Sequence, residues 1–154
     1  MDNKLNRRDF IKYIGVTGAY LMSSFYGIKN TYASWKEKAF NTDNLDSAIN
    51  LIKEDKDIVS AKNEVEVKLP DIAETGGKVP IEVKSNIKET QAITIFVEGN
   101  PLPLISSFKF NGKTDPYVST FMKMQQTSNV IVMVDDGTKI YQSIKKVNVA
   151  AGGC

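Results

Sequence analysis

Seven short runs in this chain alternate apolar and polar side chains with a period of two, and that rhythm admits few folds. It is the period of a strand with one buried and one solvated face. Val65, Val67 and Leu69 alternate with Glu64, Glu66 and Lys68. Residues 80–83 follow a Gly76-Gly77 turn, and Pro80, which has no N–H to give a neighbour, marks a strand start or an edge. Ala92–Val97 is the most apolar run and closes at Gly99-Asn100-Pro101. Residues 104–110 end at Asn111-Gly112, a pattern that predicts a hairpin turn. Residues 116–124, 129–134 and 139–149 complete the set, the last two joined through a second hairpin pattern, Asp136-Gly137.

Strands this short and this regularly spaced predict a mainly β fold, an immunoglobulin-like antiparallel β-sandwich. The chain has one cysteine, so the intersheet disulfide of antibody domains cannot form, and the likeness is one of architecture. Ahead of the strands, Leu45, Ala48, Ile49 and Ile52 fall at i, i+3, i+4 and i+7. That spacing predicts a short N-terminal helix, with Thr42 or Asp43 as its cap. The charged run 53–57 reads as a solvated connector. Trp35 and Phe40 read as anchors of the N-terminal segment to the core or to a partner.

The N-terminus carries an address. Arg7 and Arg8, followed by Asp9, Phe10, Ile11 and Lys12, form a twin-arginine export signal. A mildly apolar run over 13–28 follows, and Thr31-Tyr32-Ala33 offers small residues for a signal peptidase. Cleavage is expected between Ala33 and Ser34. A permanent membrane anchor is not expected, because a span needs about 20 apolar residues and this run is shorter and diluted by glycine, serine and threonine. The expected organisation is a signal peptide over 1–33, a helix-plus-sandwich domain over 34–148 and a C-terminal arm over 149–154. The twin-arginine translocase would deliver the folded protein to the periplasm. Of 20 basic and 18 acidic residues the leader holds five and two, which leaves 15 against 16 in the remainder. The basicity belongs to the leader, so it is no argument for a nucleic-acid partner.

Several chemistries are missing their residues. There is no histidine, which removes histidine triads, histidine general bases and imidazole metal ligands. No Cys-x-x-Cys-His is present to hold a c-type haem. Gly76-Gly77-Lys78 lies between alternating runs and reads as a turn, not a phosphate loop. Asp135-Asp136 resembles a catalytic acid pair but precedes Gly137 between two strands, which reads as a turn. The chain is not expected to be an enzyme.

The one thiol, Cys154, closes the sequence Val149-Ala150-Ala151-Gly152-Gly153-Cys154. Such a position offers few neighbours for the buried role that most solitary cysteines play. Ala150, Ala151, Gly152 and Gly153 make a narrow arm, and the glycines make it pliant. Six extended residues reach roughly 20 Å. With the α-carboxylate on the same residue, thiolate formation is opposed by about 1 kcal/mol. The reading is a carrier thiol activated by partner enzymes.

With these residues in view, the chain resembles the SoxY family of the sulfur-oxidation (Sox) system. The likeness runs from the Arg7-Arg8-Asp9-Phe10-Ile11-Lys12 leader through Leu69-Pro70-Asp71-Ile72-Ala73-Glu74 and Val79-Pro80-Ile81. It continues in Ile95-Phe96-Val97, Asn100-Pro101-Leu102-Pro103-Leu104 and the closing Gly152-Gly153-Cys154. The resemblance implies a non-catalytic carrier that holds thiosulfate-derived sulfur covalently on Cys154. It further implies a heterodimer with a SoxZ-like subunit. The enzymes served would be a SoxAX-type haem cytochrome, a SoxB-type dimanganese hydrolase and a SoxCD-type molybdenum-haem dehydrogenase. Haem, manganese and molybdenum would belong to those partners, and this chain would bind no cofactor. A rival reading is a secreted β-sandwich interaction domain in which Cys154 forms an intermolecular disulfide. Terminal prenylation conflicts with the export signal, and one thiolate without imidazole makes a poor metal site.

Overall fold

The computed structural model describes residues 36–61 and 63–151. The export signal, the cleavage site with Ser34, and Trp35 lie outside the described residues, as do Gly152, Gly153 and Cys154.

Among the described residues two helices come first: α1 (Glu37–Phe40) and α2 (Leu45–Lys53). The predicted apolar spacing forms α2 and buries Ala48 and Ile52. Its cap is Asn44, not Thr42 or Asp43: Asn44 Oδ1 accepts from Ser47 N–H at 2.8 Å, and Thr42 Oγ1 accepts from Asn44 N–H at 3.3 Å. Glu54 ends the helix at φ +54°. Lys36 closes that end, donating to the carbonyls of Leu51 and Ile52 at 3.2 and 3.0 Å and pairing with Glu54 at 2.8 Å. The Lys36 ammonium, by hydrogen bond and charge, holds the Glu54 carboxyl below its ordinary value.

Among the described residues nine strands follow: β1 (Asp57–Ser60), β2 (Val65–Lys68), β3 (Ile72–Ala73), β4 (Val79–Ser85), β5 (Ala92–Val97), β6 (Leu104–Lys109), β7 (Tyr117–Met122), β8 (Ser128–Asp135) and β9 (Lys139–Val149). They form two sheets. The smaller is antiparallel, in the order β2-β4-β7. The larger runs β1-β9-β8-β5-β6, with β3 also on β9. Period-two burial is plainest in β4, where Val79, Ile81, Val83 and Ser85 point inward and Pro80 and Lys84 outward. The inner faces meet in one core, with Ile81 and Val83 from the small sheet against Ile93, Ile95, Val130, Val132 and Val147 from the large one. On its outer face the large sheet buries Phe96, Leu104, Ile131, Met133 and Ile140 under Ala39, Ala48 and Ile52 of the helices. Fully burying a side chain of this size contributes about 1.5–3 kcal/mol. This double coverage explains why β5 and β8 read as nearly unbroken apolar runs.

Beyond the helix cap, the structure departs from the sequence expectations in three places. Residues 53–57 are not simply a connector, since Asp57 opens β1, which pairs parallel with the start of β9. Asn111-Gly112 does turn the chain, with Gly112 at φ +74° and Asn111 Oδ1 accepting from Lys113 N–H. It makes no hairpin, however, because β6 and β7 belong to different sheets and residues 110–116 cross between them. Pro80 sits in the central strand of the small sheet, where its place as second residue keeps the lost N–H near the strand's start. Among the described residues every pairing is antiparallel except β1 and β3 on β9.

Candidate carrier arm and its anchorage

β9 is the element that delivers the C-terminus. It leaves the Asp136-Gly137 hairpin, where Gly137 has φ +93°. Asp136 Oδ1 there accepts from Thr138 N–H, Thr138 Oγ1 and Lys139 N–H, each at 2.8 Å. Burial pushes the Asp136 carboxyl up, but the bonds from Lys139, Thr138 and Tyr141 outweigh it and hold it below its ordinary value. Burial and the nearby Asp136 charge raise the Tyr141 phenol. Asp135 pairs with Lys56 and accepts from Gly137 N–H at 2.7 Å. Both carboxylates are thus committed to the turn, as their sequence context predicts.

From the hairpin β9 runs antiparallel to β8 from Ile140 opposite Asp135 to Val147 opposite Ser128. Beyond Val147 the support changes sides. β3 adds in parallel, Ile72 opposite Asn148 and Ala73 opposite Val149. Asp71 O accepts from Asn148 N–H at 3.0 Å and from Asn148 Nδ2 at 3.3 Å. Val149 N–H donates to Thr127 Oγ1 at 2.9 Å, and Ala150 N–H to Ala73 O at 2.9 Å. Ala151 O accepts from Gly76 N–H at 2.8 Å, while Gly76 O accepts from Met124 N–H at 2.8 Å. The backbone ladder therefore continues through Ala151. Of the expected arm, Val149, Ala150 and Ala151 are tied to the strap 71–76 and the loop after β7, and three residues lie beyond.

Sequence reasoning singled out Leu69-Pro70-Asp71-Ile72-Ala73-Glu74 without assigning it a structural task. The structure places Asp71 and Ala73 as acceptors for the arm's root. A two-residue strand is too short to show alternation, so periodicity could not have found it. Thr127 gave no signal either.

A cleft of about 370 Å³ opens beside this root, lined by Glu98, Gly99, Gln126, Thr127, Ser128, Asn129 and Lys146. No group of three or more histidine, cysteine or carboxylate side chains suited to a metal ion occurs among the described residues.

Comparison with known proteins bears on this arrangement. Residues 49–154 match the family model described as sulfur oxidation protein SoxY. Among solved structures the chain is similar to the sulfur carrier protein SoxY from Chlorobium limicola f thiosulfatophilum, at 34% identity and a TM-score of 0.63. That match covers 68% of this chain and 94% of the other. A lytic polysaccharide monooxygenase from Jonesia denitrificans matches at 10% identity and a TM-score of 0.38, over 67% of each chain, a likeness that carries no argument. No curated protein matches.

Proposed function

This chain belongs to the SoxY family of sulfur oxidation proteins, and on that premise we propose that it carries sulfur intermediates on Cys154 in the periplasm, as a heterodimer with a SoxZ-like subunit. The observation that carries the reading is the match through residue 154, which takes in Gly152-Gly153-Cys154, joined to a root that a rigid sheet holds in place. A carrier needs a nucleophile that can leave the body and a base that cannot. β9 and its strap supply the fixed base, and Cys154 would be the nucleophile.

The chemistry needs no catalytic group from this chain. In the loading step the Cys154 thiolate and thiosulfate lose two electrons to a haem-containing partner of SoxAX type and form a Cys–S–S–SO3⁻ adduct. Water then attacks the terminal sulfur at a SoxB-type hydrolase, which releases sulfate and two protons and leaves a cysteine persulfide. A SoxCD-type dehydrogenase oxidises the remaining sulfane sulfur in a system that has one. Haem, manganese and molybdenum reside in these partners. The Arg7-Arg8 signal and cleavage at Ala33 route the folded chain through the twin-arginine translocase.

Intact-mass measurement tests this reading. Protein purified from thiosulfate-grown cells is expected to show adducts that vanish with reductant and map to the peptide ending in Cys154. Cys154→Ser is expected to fold, bind its partner and abolish thiosulfate oxidation. Retained oxidation would sink the mechanism, and a disulfide dimer as the sole modified form would favour the interaction-domain reading.

A further inference from the structure

Where a sheet ends, its last strand shows a row of unpaired N–H and C=O groups to any passing chain, and folds blunt such edges with charge, brevity or bulges. Among the described residues β1, β6, β2 and β7 close the two sheets. β1 is four residues long and opens on Asp57, β2 carries Glu66 and Lys68, and β6 ends on Lys109 and meets β5 through a register shift. β7 has none of these devices. Its six residues, Tyr-Val-Ser-Thr-Phe-Met, hold no charge, proline or glycine and are mostly strong strand formers. Tyr117 and Phe121 are 49% and 58% exposed on its outer face, with the Lys78 ammonium 4.3 Å from the Phe121 ring centroid.

The open stretch of β7 has sharp limits. Pro116 O accepts from Ser85 N–H at 3.0 Å. The register with β4 therefore turns the main-chain groups of Val118, Thr120 and Met122 toward β4, and those of Tyr117, Ser119 and Phe121 away from it. At one end Tyr117 N–H already donates to Asp115 O at 2.8 Å. At the other, the Asn100 side chain takes Lys123 O and Gln125 N–H at 2.8 and 3.0 Å. Between these limits Tyr117 O and both main-chain groups of Ser119 and Phe121 have no partner among the described residues. The centre of the stretch is Ser119, and about that residue the sequence complements itself. A second copy laid antiparallel, with a two-fold axis at Ser119, puts Ser119 opposite Ser119, Tyr117 opposite Phe121 and Asp115 opposite Lys123. The two Ser119 residues exchange N–H···O bonds, and each Phe121 N–H donates to the other copy's Tyr117 O. An aromatic pair on each side of the axis and opposite charges at each end are cross-strand combinations that stabilise an antiparallel ladder. Asp115 and Lys123 are exposed and form no ion pair among the described residues. A copy of β7 meets the acid and the lysine together by symmetry.

We propose that β7 is a self-association edge, at which two copies of this chain join their small sheets into one sheet of order β2-β4-β7-β7-β4-β2. The pairing uses no atom of the C-terminal arm and holds whatever Cys154 carries. Sedimentation equilibrium of the full chain, under reductant to remove any Cys154 disulfide, reads the dimer over roughly 1 µM to 1 mM. A reversible, concentration-dependent dimer is expected, in which the Ser119 and Phe121 amides exchange slowly and speed up on dilution. Ser119→Pro removes the N–H that each copy gives at the axis, on the side of β7 that faces away from β4. It is expected to weaken dimerisation roughly five- to hundredfold, the loss of two neutral hydrogen bonds. An exchange of charges needs no proline to be tolerated. Asp115→Lys and Lys123→Asp each set like charges opposite one another and are expected to weaken the dimer several-fold, whereas the double variant restores it. A monomer at the highest concentration, or a dimer indifferent to both Ser119→Pro and the charge exchange, would overturn the pairing. Protection of the Ser119 and Phe121 amides only in a complex with one copy of a different subunit would give the edge to that subunit and equally overturn it.

Discussion

Replacing Thr127 with valine isolates one bond at the arm's root. Valine keeps the β-branched shape and removes the oxygen that accepts from Val149 N–H at 2.9 Å. Among the described residues that N–H has no other hydrogen-bond partner, because the ladder to β8 ends at Val147. Its neighbours are held separately, Asn148 N–H by Asp71 O and Ala150 N–H by Ala73 O. A neutral hydrogen bond contributes about 0.5–1.5 kcal/mol net. Since a tenfold change corresponds to about 1.4 kcal/mol, the Val149 amide should exchange with solvent roughly two- to tenfold faster in the variant. The bond is exposed, so water replaces part of it and the lower half of that range is expected. Chain ends and loops open locally, without global unfolding. The amides of Val130, Val132 and Val134 in β8 should therefore exchange as in the parent, and the urea midpoint should barely move. Hydrogen exchange read by NMR resolves these sites one by one. An unchanged Val149 rate would refute the assignment of Thr127 as its anchor. Equal acceleration along all of β9 would show that the strand opens as a unit and that the root is not separately tied.

Two further outcomes follow from the body of the sandwich. Phe96 is fully buried where the helices cover the large sheet, and Phe96→Ala is expected to cost about 3–5 kcal/mol, read as a lower urea midpoint with the fold retained. A loss below 1 kcal/mol would show that the helical cover is not packed as described. Asp136 has its pKa held below its ordinary 3.8 by the hairpin's hydrogen bonds. Its folded-state value is depressed, so its stabilisation is complete above about pH 3.8 and is lost as the pH falls through the lower folded value. Asp136→Asn should therefore flatten the acid side of the stability profile, and an unchanged slope between pH 4 and pH 2 would contradict the account.

Much of the sandwich was legible because its strands obey a rule that sequence displays. β5 and β9 match the expected runs from end to end, and β2, β4, β6, β7 and β8 sit within a few residues of theirs. β1 and β3 escaped for a physical reason. Each borrows its hydrogen bonds from an edge of β9 and keeps an apolar side chain partly or largely outside, Ile58 at 37% and Ile72 at 67% exposure. A strand that buries so little leaves no alternating pattern. The crossing at residues 110–116 was misread because Asn-Gly reports a local turn and says nothing about which sheet receives the next strand. The thiol and its glycines were plain from the sequence. The anchorage of the root was not, since it rests on backbone carbonyls of Asp71 and Ala73 and on an N–H of Gly76, and these atoms look the same at every position of the chain.

That anchorage changes what the arm can do. Six extended residues span roughly 20 Å and three about 10 Å, so on the proposed carrier reading swinging alone would not deliver the cargo. On the proposed carrier reading, a partner enzyme would have to bring its active site within that distance of Ala151, which means docking on the surface that holds the root: the strap 71–76, the loop after β7 and the end of β9. Shortening also lowers the cost of capture. Ordering an arm residue in a partner's channel costs about 1–2 kcal/mol. Three residues thus cost about 3–6 kcal/mol where six cost about 6–12, and the difference is a binding energy that docking contacts need not supply. A short arm on a fixed root trades reach for that smaller penalty. On the proposed carrier reading it would favour partners that bind the body briefly, take the thiol in and release it, as successive enzymes served by one carrier require. Lengthening the arm by a Gly-Gly insertion after Ala151 puts the argument at risk. It leaves the ladder through Ala151 intact and adds about 7 Å of reach, and it is expected to raise the KM of each partner for the carrier while kcat is preserved. A lower KM would show that reach, not ordering cost, limits transfer.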